Sequence, residues 1–444
     1  MRRYTPYTIL ALLFAAIMMG CSQSPVGILE SIEFERKIID DRELANEIPV
    51  GGIAQAAGRY FIAAGSLYYR SSTDADYPDT VANWTSAEAP LGNENLTTNA
   101  LVTFSGAEGN RLYVAYTSQD GTTAAVYSVD PATLPDPDNP DDADLLPFQI
   151  PTTSAVFGTE RAGVDSVGKL FVLDDGTAAH LAVGVGTSGI SRYTLYVSTT
   201  AESDDFAAVD GFETGGPIVD AAALPASGTV VFLTSRSIWI DEGGINAGTP
   251  PADITGNLPL DDPDDPENER QPSFGGVFFD SAGTLWLSDN EGYLYRSSDN
   301  GVSWTANSAA YQISTNNEEA VPFTDFAEVT NGPEGSLILV GTDGFGYREL
   351  RAADAPGVAA TPLTVDTAVT PTAPDAQDSN YEASELAQAS VLAFHVDPSV
   401  TGFVPSATGD DFTAQTGDRL FAGTSNLGLW KTLYYGAPPQ WLWE

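Results

Sequence analysis

Residues able to perform nucleophilic or metal chemistry are scarce in this chain of 444 residues. It contains one cysteine, Cys21, and two histidines, His180 and His395. A protein zinc site usually takes three or four ligands from Cys, His and carboxylates. His395 lies in a strand-like run, and His180 precedes another strand. Both histidines are therefore interpreted as structural strand residues. We predict neither a metal ligand nor a pair of nucleophile and base.

Carboxylates are abundant, but their pattern does not single out a catalytic pair. The chain has 61 Asp and Glu residues, and glycoside hydrolysis would need two of them roughly 5 to 9.5 Å apart. Two proline-rich acidic segments, 135–144 and 261–267, could offer oxygen ligands to Ca²⁺, yet neither has the spacing of an EF-hand loop. We predict solvated loops there, with Ca²⁺ sites as the alternative, and no catalytic residue or cofactor.

The charge balance excludes one class of partner. The chain has 18 Lys and Arg residues and a net charge of −43, and its lysines are Lys37, Lys169 and Lys431. Binding to phosphates depends on Lys and Arg displacing counterions, so no nucleic acid partner is predicted. The acidic surface indicates saline surroundings, where cations screen self-repulsion. A hydrophobic content of 42% still allows a large folded core.

The N-terminus has the features of an export signal. Arg2 and Arg3 precede an apolar run of 11 residues, 9–19, which is shorter than the roughly twenty that span a bilayer. The next residues, Gly20 and Cys21, resemble the bacterial lipobox, in which a small residue precedes a lipidated cysteine. The resemblance implies a cleaved signal peptide, 1–20, and a membrane lipoprotein that carries palmitate or related acyl chains on Cys21.

Lipidation also accounts for the single cysteine. A free thiol is usually avoided in an exported protein, and several acyl chains, at about 0.8 kcal/mol for each buried CH₂, form a durable anchor. Ser22 rather than Asp follows the cysteine, which in lipoproteins of bacteria with two membranes favours the outer membrane. We predict a lipid-anchored protein of the cell envelope, with residues 21–49 as a tether or docking strand. A soluble secreted protein is the alternative.

One short pattern recurs along the rest of the chain and defines its fold class. A turn glycine and one or two polar residues precede an apolar strand rich in aromatic residues, and five of the six intervals between copies lie between 51 and 60 residues. We call this pattern the cassette. Its copies begin at Gly58, Gly109, Gly168, Gly228, Gly283, Gly335 and Gly417.

The cassette spacing fits one four-stranded sheet for each copy. Sheets repeated radially leave only short, protected edges, so we predict an all-β protein: a β-propeller over residues 50–444 with seven blades, six or eight being the alternatives. A pair of β-sandwiches is the competing fold. A third insertion, 351–388, lengthens the last interval. Three arginines after cassette strands, Arg70, Arg296 and Arg348, are predicted at equivalent positions with a repeated structural role, such as pairing with a neighbouring carboxylate; a substrate clamp is the alternative.

The fifth cassette leads into the segment Ser297-Ser-Asp299-Asn-Gly301-Val-Ser303-Trp304. This segment resembles the Asp-box, or BNR repeat, of the pattern Ser-x-Asp-x-Gly-x-Thr/Ser-Trp. The Asp-box family includes sialidases and other glycosidases, sortilin-type receptors and photosystem assembly factors, all of them propellers. The resemblance implies that Ser297, Asp299, Gly301 and Trp304 shape a structural turn away from the active face. An Asp carboxylate suits such a turn because it can accept backbone N–H groups.

The resemblance fixes a fold but not an activity. A sialidase-like enzyme would need an arginine triad, a Tyr and Glu pair and an acid Asp, and its usual Phe/Tyr-Arg-Ile-Pro motif is absent from the sequence. We favour a non-catalytic, membrane-anchored lipoprotein whose propeller binds a protein or a glycan. A divergent sialidase-like glycoside hydrolase and an envelope assembly or stability factor are the alternatives.

Overall fold

The structure is a computed structural model, and it describes the greater part of residues 49–444. Residues 1–48, including Cys21, lie outside the described residues, as do 261–267 and all of 135–144 except Pro135. The described ranges are 49–72, 84–90, 96–118, 124–135, 148–151, 154–158, 166–187, 192–245, 249–260, 273–306, 322–332, 335–344, 346–351, 365–366, 389–405, 412–425, 428–434 and 442–443.

The strands within these ranges form seven sheets, and neighbouring strands are antiparallel with one exception in sheet 1. Sheet 1 contains β1 (Gly52–Ala56), β2 (Arg59–Ala64), β3 (Ser66–Ser71), β4 (Thr85–Glu88) and β8 (Phe148–Gln149). Sheet 2 contains β5 (Leu96–Gly106), β6 (Gly109–Ser118), β7 (Ala124–Val129) and β9 (Ala155–Gly158). Sheet 3 contains β10 (Ser166–Asp174), β11 (Ala179–Thr187), β12 (Arg192–Ser198) and β13 (Ala207–Ala208).

The other four sheets each contain four consecutive strands. Sheet 4 contains β14 (Ile218–Leu224), β15 (Thr229–Thr234), β16 (Ile238–Glu242) and β17 (Ala252–Asp253). Sheet 5 contains β18 (Phe274–Phe279), β19 (Leu285–Asp289), β20 (Leu294–Ser297) and β21 (Thr305–Ala306). Sheet 6 contains β22 (Phe323–Gly332), β23 (Gly335–Thr342), β24 (Tyr347–Arg351) and β25 (Val365–Asp366). Sheet 7 contains β26 (Val391–Pro405), β27 (Phe412–Thr424), β28 (Leu429–Tyr434) and β29 (Leu442–Trp443).

Short 3₁₀ turns occur at Pro131–Thr133 and Thr255–Asn257. The first begins where the Asp130 carboxylate accepts the N–H of Ala132 at 3.0 Å, as an N-cap does. Within the described residues, none of the helical segments has the length and apolar character needed to cross a membrane.

The first strands of the seven sheets form a closed ring. Each first strand lies beside the first strand of the next sheet, and β26 of sheet 7 lies beside β1 of sheet 1. The space that these inner strands enclose is called the channel. We name its two ends by the strands: the inner strands begin at the start end and turn into the second strands at the hairpin end. This arrangement is an all-β propeller, so the predicted fold class is confirmed and the pair of β-sandwiches is excluded.

Cassette copies mark the second strand of six sheets, as in β2, β6 and β23. The third copy was interpreted wrongly. Gly168 lies within β10, the inner strand of sheet 3, and the hairpin of that sheet turns instead at Gly176, whose φ is +79°. The segment Asp174-Asp175-Gly176 supplies the tight turn there, because glycine adopts positive φ without steric cost.

Three residues of the segment predicted as the 351–388 insertion belong to the fold, and the first of them, Arg351, ends β24. Val365 and Asp366 form β25, the fourth strand of sheet 6, paired with Leu350 and Glu349. The fourth strands of sheets 3 to 7 are all two residues long, and sheet 1 has its outer edge covered by β8. Short or covered edges prevent pairing with another chain.

The core is divided among the interfaces between sheets. The buried apolar side chains of the described residues form seven clusters, and each cluster spans two neighbouring sheets. The cluster between sheets 7 and 1, which we call the seam, is one of the two smallest. It contains Val50, Tyr60, Ile62, Ala64, Trp84, Phe421 and Leu429.

A buried polar network supplements this small cluster at the seam. The hydroxyl of Tyr60 on β2 donates to the Asp397 carboxylate on β26 at 2.5 Å, and Gln55 Nε2 donates to the same oxygen at 3.0 Å. Arg419 Nη1 on β27 donates to the Tyr60 hydroxyl at 2.9 Å. Because Tyr60, Asp397 and Arg419 are each at least nine-tenths buried, every partner that is removed leaves another polar group without its contact.

Arg70 adds a second set of contacts at the seam. It is 2% exposed, and its guanidinium carbon lies 5.2 Å from the Trp84 ring centre, 5.7 Å from Tyr60 and 5.9 Å from Phe421. Distances below about 6 Å allow a cation–π attraction. Sheet 1 and sheet 7 are therefore joined by aromatic and charged side chains rather than by a shared strand.

Replacing Asp397 should loosen this seam. Asp397→Ala leaves the Tyr60 hydroxyl and the Arg419 guanidinium without their carboxylate, and we expect the free energy of unfolding to fall by about 2 to 4 kcal/mol. Urea unfolding measured by tryptophan fluorescence tests this, with the exposed carboxylate variant Asp204→Ala as control. A loss below about 1 kcal/mol, no larger than for an ordinary surface substitution, would contradict the role given to the network.

Candidate functional site

The inner strands begin with an irregularity that the sequence did not reveal. In six of the seven, the pairing with the second strand shifts near the start end, whereas β1 pairs regularly. Bulges of this kind redirect side chains and are frequent beside binding sites. The shifts lie between Thr98 and Ala100, Val167 and Leu170, Ile218 and Asp220, Phe274 and Gly276, Phe323 and Phe326, and Val391 and Ala393.

Three charged residues occupy these bulges in sheets 3, 4 and 6. Lys169 is exposed, and Asp220 and Asp325 are partly buried. Lys169 interacts electrostatically with both carboxyl groups, and the two carboxyl groups interact with each other. The start end of the channel, with these three residues, is called the mouth. Lys169 makes no ion pair within 4.0 Å among the described residues, so its charge acts from a distance.

Each carboxylate of the mouth also reaches the inner strand of the next sheet. Asp220 Oδ2 accepts the N–H of Val277 at 2.8 Å, while its Oδ1 accepts the N–H of Ala221 at 2.9 Å. Asp325 Oδ2 accepts the N–H of Phe394 at 2.8 Å. The same contact therefore joins sheet 4 to sheet 5 and sheet 6 to sheet 7, which holds both carboxylates in fixed positions at the mouth.

Burial and mutual repulsion disfavour the ionised forms of the two acids. Burial raises the pKa of Asp325 to about 7, the nearby Asp220 adds to the rise, and Lys169 and backbone N–H groups oppose it. Burial likewise raises the pKa of Asp220 against Lys169 and the N–H groups of Val277 and Ala221. Two carboxyl groups in such an environment titrate as a coupled pair and can hold a proton close to neutral pH.

Apolar side chains along the inner strands are also partly exposed. Val172 on β10 is 42% exposed although it lies on an inner strand, and Ala222, Phe278 and Phe394 on three other inner strands are partly exposed. An apolar cavity with a few fixed polar groups is the usual composition of a ligand site. The channel combines such apolar surface with the polar groups at the mouth.

The Asp-box segment lies at the opposite end of the propeller. It connects the third and fourth strands of sheet 5, β20 and β21, and therefore belongs to the hairpin end. The Ser297 hydroxyl donates to Asp299 Oδ1 at 2.7 Å, and Asp299 accepts the N–H and the hydroxyl of Ser303 at 2.9 and 2.6 Å. Burial raises the pKa of Asp299, but the hydrogen bonds from Ser303 and Ser297 outweigh it and lower the net value.

This turn also packs against sheet 4. Gly301 has φ +79°, and a Cβ at this position would lie 2.5 Å from Ile254 Cδ1, so only glycine fits without a shift. Trp304 Nε1 donates to the Gly301 carbonyl at 3.1 Å, and Asn257 Nδ2 donates to the same oxygen at 2.9 Å. These contacts place Ser297, Asp299, Gly301 and Trp304 in a turn between two sheets, far from the mouth.

Both histidines lie in strands, as predicted. His180 on β11 places Nε2 3.0 Å from Asp175 Oδ2 at the interface of sheets 3 and 4. The N–H of Ile245 reaches the same carboxylate oxygen at 3.0 Å. Burial and the charge of Asp175 raise the pKa of the neighbouring Asp241 to about 6. All three ionisable groups are more than nine-tenths buried, so this cluster connects two sheets and is closed to a ligand.

His395 lies at the seam. Its ring contacts those of Tyr60 and Phe421, with centres 6.3 and 6.4 Å apart, and its Nε2 has no hydrogen-bond partner among the described residues. Burial lowers the pKa of His395, and Asp397 opposes this. A neutral ring packed in the seam fits these contacts.

The three arginines do not occupy equivalent positions, contrary to the prediction. Arg70 and Arg296 lie opposite the second residue of β2 and β19, whereas Arg348 lies opposite Val340 near the end of β23. At the seam, Arg70 packs against the aromatic rings of Trp84, Tyr60 and Phe421.

Sequence reasoning missed the mouth because its members come from three sheets. Lys169 is one of three lysines, but it lies in the cassette that begins at Gly168, and that cassette predicts a second strand. Asp220 and Asp325 each lie shortly before a cassette glycine, Gly228 and Gly335. That repeated placement of an acid in the inner strand is the signal that could have found them.

Fold and site together define an all-β propeller with a charged, partly apolar channel mouth. No family model matches the sequence, and no curated protein matches it either. Among solved structures, the chain is similar to "YCF48 bound to D1 peptide", with 12% identity over 88% of this chain and 95% of that one and a TM-score of 0.48. It is also similar to the WD40 β-propeller domain of Doa1, with 10% identity, coverage of 87% and 93%, and a TM-score of 0.44. Likenesses at this level carry no conclusion about function.

The raised pKa of Asp325 predicts an unusual pH dependence of stability. The folded state holds the proton more tightly than the unfolded chain, so this group stabilises the fold below about pH 4 and loses that contribution as pH rises through about 7. Between about pH 5 and pH 8, the free energy of unfolding of Asp325→Asn should therefore fall by about 2 kcal/mol less than that of the wild type. Urea unfolding at both pH values and constant salt measures this.

The matched control for this experiment is Asp204→Asn, which alters an exposed carboxylate at the hairpin end. Its free energy of unfolding should change between the two pH values by the same amount as that of the wild type. Equal pH dependence in wild type and Asp325→Asn would contradict the buried, proton-holding state of the mouth.

Proposed function

We propose that this chain is an exported lipoprotein, anchored through Cys21, whose seven-bladed propeller binds a protein partner at the channel mouth without catalysis. The observation that carries the binding role is the presence of three ionisable residues, Lys169, Asp220 and Asp325, at the start end of the channel. Counting one blade for each of the seven sheets in the closed ring supports the blade number.

Comparison between sheets supports a binding role over a purely structural one. In sheets 5 and 7, the residues that follow the corresponding bulge are Gly276 and Ala393, where sheet 4 has Asp220. The ring therefore closes at two of these positions without a carboxylate. Partly buried charges cost free energy, so their retention at one side of the mouth points to a ligand.

The anchor and the Asp-box fit the same proposal. Lipidation of Cys21 would hold the propeller at a membrane of the cell envelope, in accordance with the lipobox resemblance. The turn formed by Ser297, Asp299, Gly301 and Trp304 is assigned a structural role that fixes sheet 5 on sheet 4. The opposite end of the propeller remains available for a partner.

A glycoside hydrolase is the second candidate, and one observation favours it. Asp325, with a pKa of about 7 beside a second carboxyl group, has the property of a general acid. Both carboxylates, however, accept backbone N–H groups of the next sheet, and no arginine occurs in the described part of the inner strands. Binding is therefore preferred.

Site-specific photo-crosslinking in intact cells tests the binding role. A photoreactive residue at position 219, on the bulge beside Asp220, should trap a discrete envelope protein. The same residue at position 302, which is 68% exposed on the Asp-box turn, should not. Asp220→Asn with Asp325→Asn should reduce the adduct by about tenfold, because buried central contacts dominate binding energy.

Two results would overturn this assignment. Equal adducts from positions 219 and 302 would show that the mouth is not the binding site. Turnover of a fluorogenic glycoside by the wild type, abolished by Asp325→Asn, would replace binding by catalysis.

The anchor has a separate test. Cys21→Ala removes the thiol that would carry the acyl chains, so we expect the protein to lose labelling by radioactive palmitate and to leave the membrane fraction. Ser22→Ala, one residue away, should retain both. Membrane association and labelling of Cys21→Ala equal to the wild type would refute the lipoprotein assignment.

A further inference from the structure

The hairpin of sheet 7 continues beyond the sheet itself. The third strand, β28, pairs with β27 from Asp418 onward, whereas β26 and β27 pair with each other over six further residue pairs, 400–405 with 412–417. The register shifts between Asp397 and Val400, where this extension leaves the sheet. At about 3.4 Å for each residue, the two-stranded extension is roughly 20 Å long. Residues 400–405 and 412–417 are called the arm.

The arm lies at the hairpin end of the propeller. Asp418, at its base, accepts the N–H groups of Thr330 and Asn331 beside the turn between β22 and β23, so the arm begins level with the hairpin of the neighbouring sheet. Its exposed side chains include those of Thr401, Ala414 and Thr416. The arm therefore offers surface that the propeller does not cover.

One edge of the arm has no partner strand. Residues 412–417 pair with β26 on one side, and among the described residues no strand pairs with their other side. The seven residues that connect β28 to β29, 435–441, can reach about 25 Å, less than the roughly 40 Å needed to run along the arm and return. Because a two-stranded hairpin is only marginally stable in water, a further strand would stabilise the arm.

The free edge also lacks the features that keep an edge strand single. Charged residues and proline commonly block pairing at such edges, and residues 412–417 contain neither, although 18% of the chain is charged. The β26 side differs, because Pro398 and Pro405 have no N–H to donate. The edge formed by 412–417 is therefore the one open to strand addition.

The charge of the chain indicates what pairs with this edge. A basic partner would be attracted to the acidic surface, since the net charge is −43, but it gains no charge contact at an uncharged edge. When the edge pairs with a second copy of itself, no like charges lie opposite each other. The length of the arm also exceeds the Debye length of about 8 Å at physiological salt, which screens repulsion between the two acidic bodies.

The acidic residues next to the arm fit pairing between two copies. Asp410 and Asp411 precede Phe412 in the sequence and lie outside the described residues. A two-fold axis makes the two edges antiparallel and points the ends of the two arms in opposite directions. These carboxylates of the two copies are then kept apart.

We propose that two copies of this chain associate through their arms, with residues 412–417 of one copy paired antiparallel to the same residues of the other. The two hairpins then form one four-stranded sheet across a two-fold axis. This interface goes beyond the proposed binding function and does not depend on it, because the arms lie at the hairpin end and leave both channel mouths open.

Sedimentation velocity of the full chain, with detergent micelles in excess over protein, tests this proposal. We expect the wild type to form a dimer as its concentration rises. Ala414→Lys with Thr416→Lys should weaken the dimer by about tenfold, because lysines on both paired edges repel each other. These lysines reduce the net negative charge of the chain, so greater general repulsion would not explain the loss.

The matched control is Ala207→Lys with Ala208→Lys. It adds the same charge at two exposed positions of β13, an outer strand of two residues, and should dimerise as the wild type does. A monomeric wild type at all concentrations, or equal weakening by both pairs of substitutions, would overturn the proposal.

Complementary charges separate strand pairing from a folding defect. Ala414→Glu with Thr416→Glu should also weaken the dimer when tested alone. Its mixture with Ala414→Lys, Thr416→Lys should dimerise at least as well as the wild type, because opposite charges then face each other across the paired edges. A mixture that stays monomeric would contradict pairing through this edge.

Photo-crosslinking in intact cells identifies the occupant without disturbing the charge of the arm. A photoreactive residue at position 414 should produce an adduct of twice the mass of the chain, whereas position 302, exposed at the same end of the propeller, should not. An adduct of position 414 with a different protein, or no adduct there, would overturn the assignment of a second copy. The crosslink at position 219 tests the binding function separately.

Discussion

Closure of the ring at the seam is the constraint on which the remainder of the structure depends. Each sheet packs against two neighbours, and the core consists of interfaces rather than a single centre. Sheets 1 and 7 share no strand, so side chains hold them together, with backbone help from Val50, whose N–H donates to the Thr424 carbonyl at 2.9 Å. The inner strands can keep their places around the channel because this last interface holds.

The acidic residues divide into two groups with different physical roles. Among the described residues, some, such as Glu202 and Asp204, lie exposed at the surface and contribute charge, whereas others act as acceptors that join backbone segments. Asp418, which is 1% exposed, accepts the N–H groups of Thr330 and Asn331 from sheet 6, and Glu328 accepts the N–H of Ser281 from sheet 5. A carboxylate suits this task because it can accept several N–H groups at once. The fold therefore uses part of its excess charge as a framework between sheets.

The sequence determined the fold class through the glycine cassette, because a tight turn followed by a buried strand is a local property. Gly58 and Gly283 both have positive φ, and each precedes the second strand of its sheet. The local pattern failed at Gly168, where the cassette residues form an inner strand. Only strand pairing, in which Val167 and Leu170 lie opposite Val185 and Val183, distinguishes an inner strand from a second strand. Strand order is a tertiary property that a short pattern does not contain.

The candidate site was less predictable than the fold. The Asp-box is contiguous, so its turn could be read from eight residues. Lys169, Asp220 and Asp325 come together only when three sheets take their places in the ring, and their direction depends on bulges that shift the strand pairing. A bulge is defined by the pairing of two strands, so a pattern within one strand does not predict it. These three residues therefore form a common site only in the closed ring.

The position of Val50 has a mechanical consequence. Its side chain is 1% exposed, and a Cβ on Gly423 would lie 2.8 Å from Val50 Cγ1, so the segment fits tightly into the seam. The chain thus joins the propeller at the interface that closes the ring. Tension on the preceding residues would act first on one backbone hydrogen bond and one buried valine, whose burial contributes roughly 1.5 to 3 kcal/mol. The seam is the place where a pulling force would begin to open the propeller, and the channel would widen from that side.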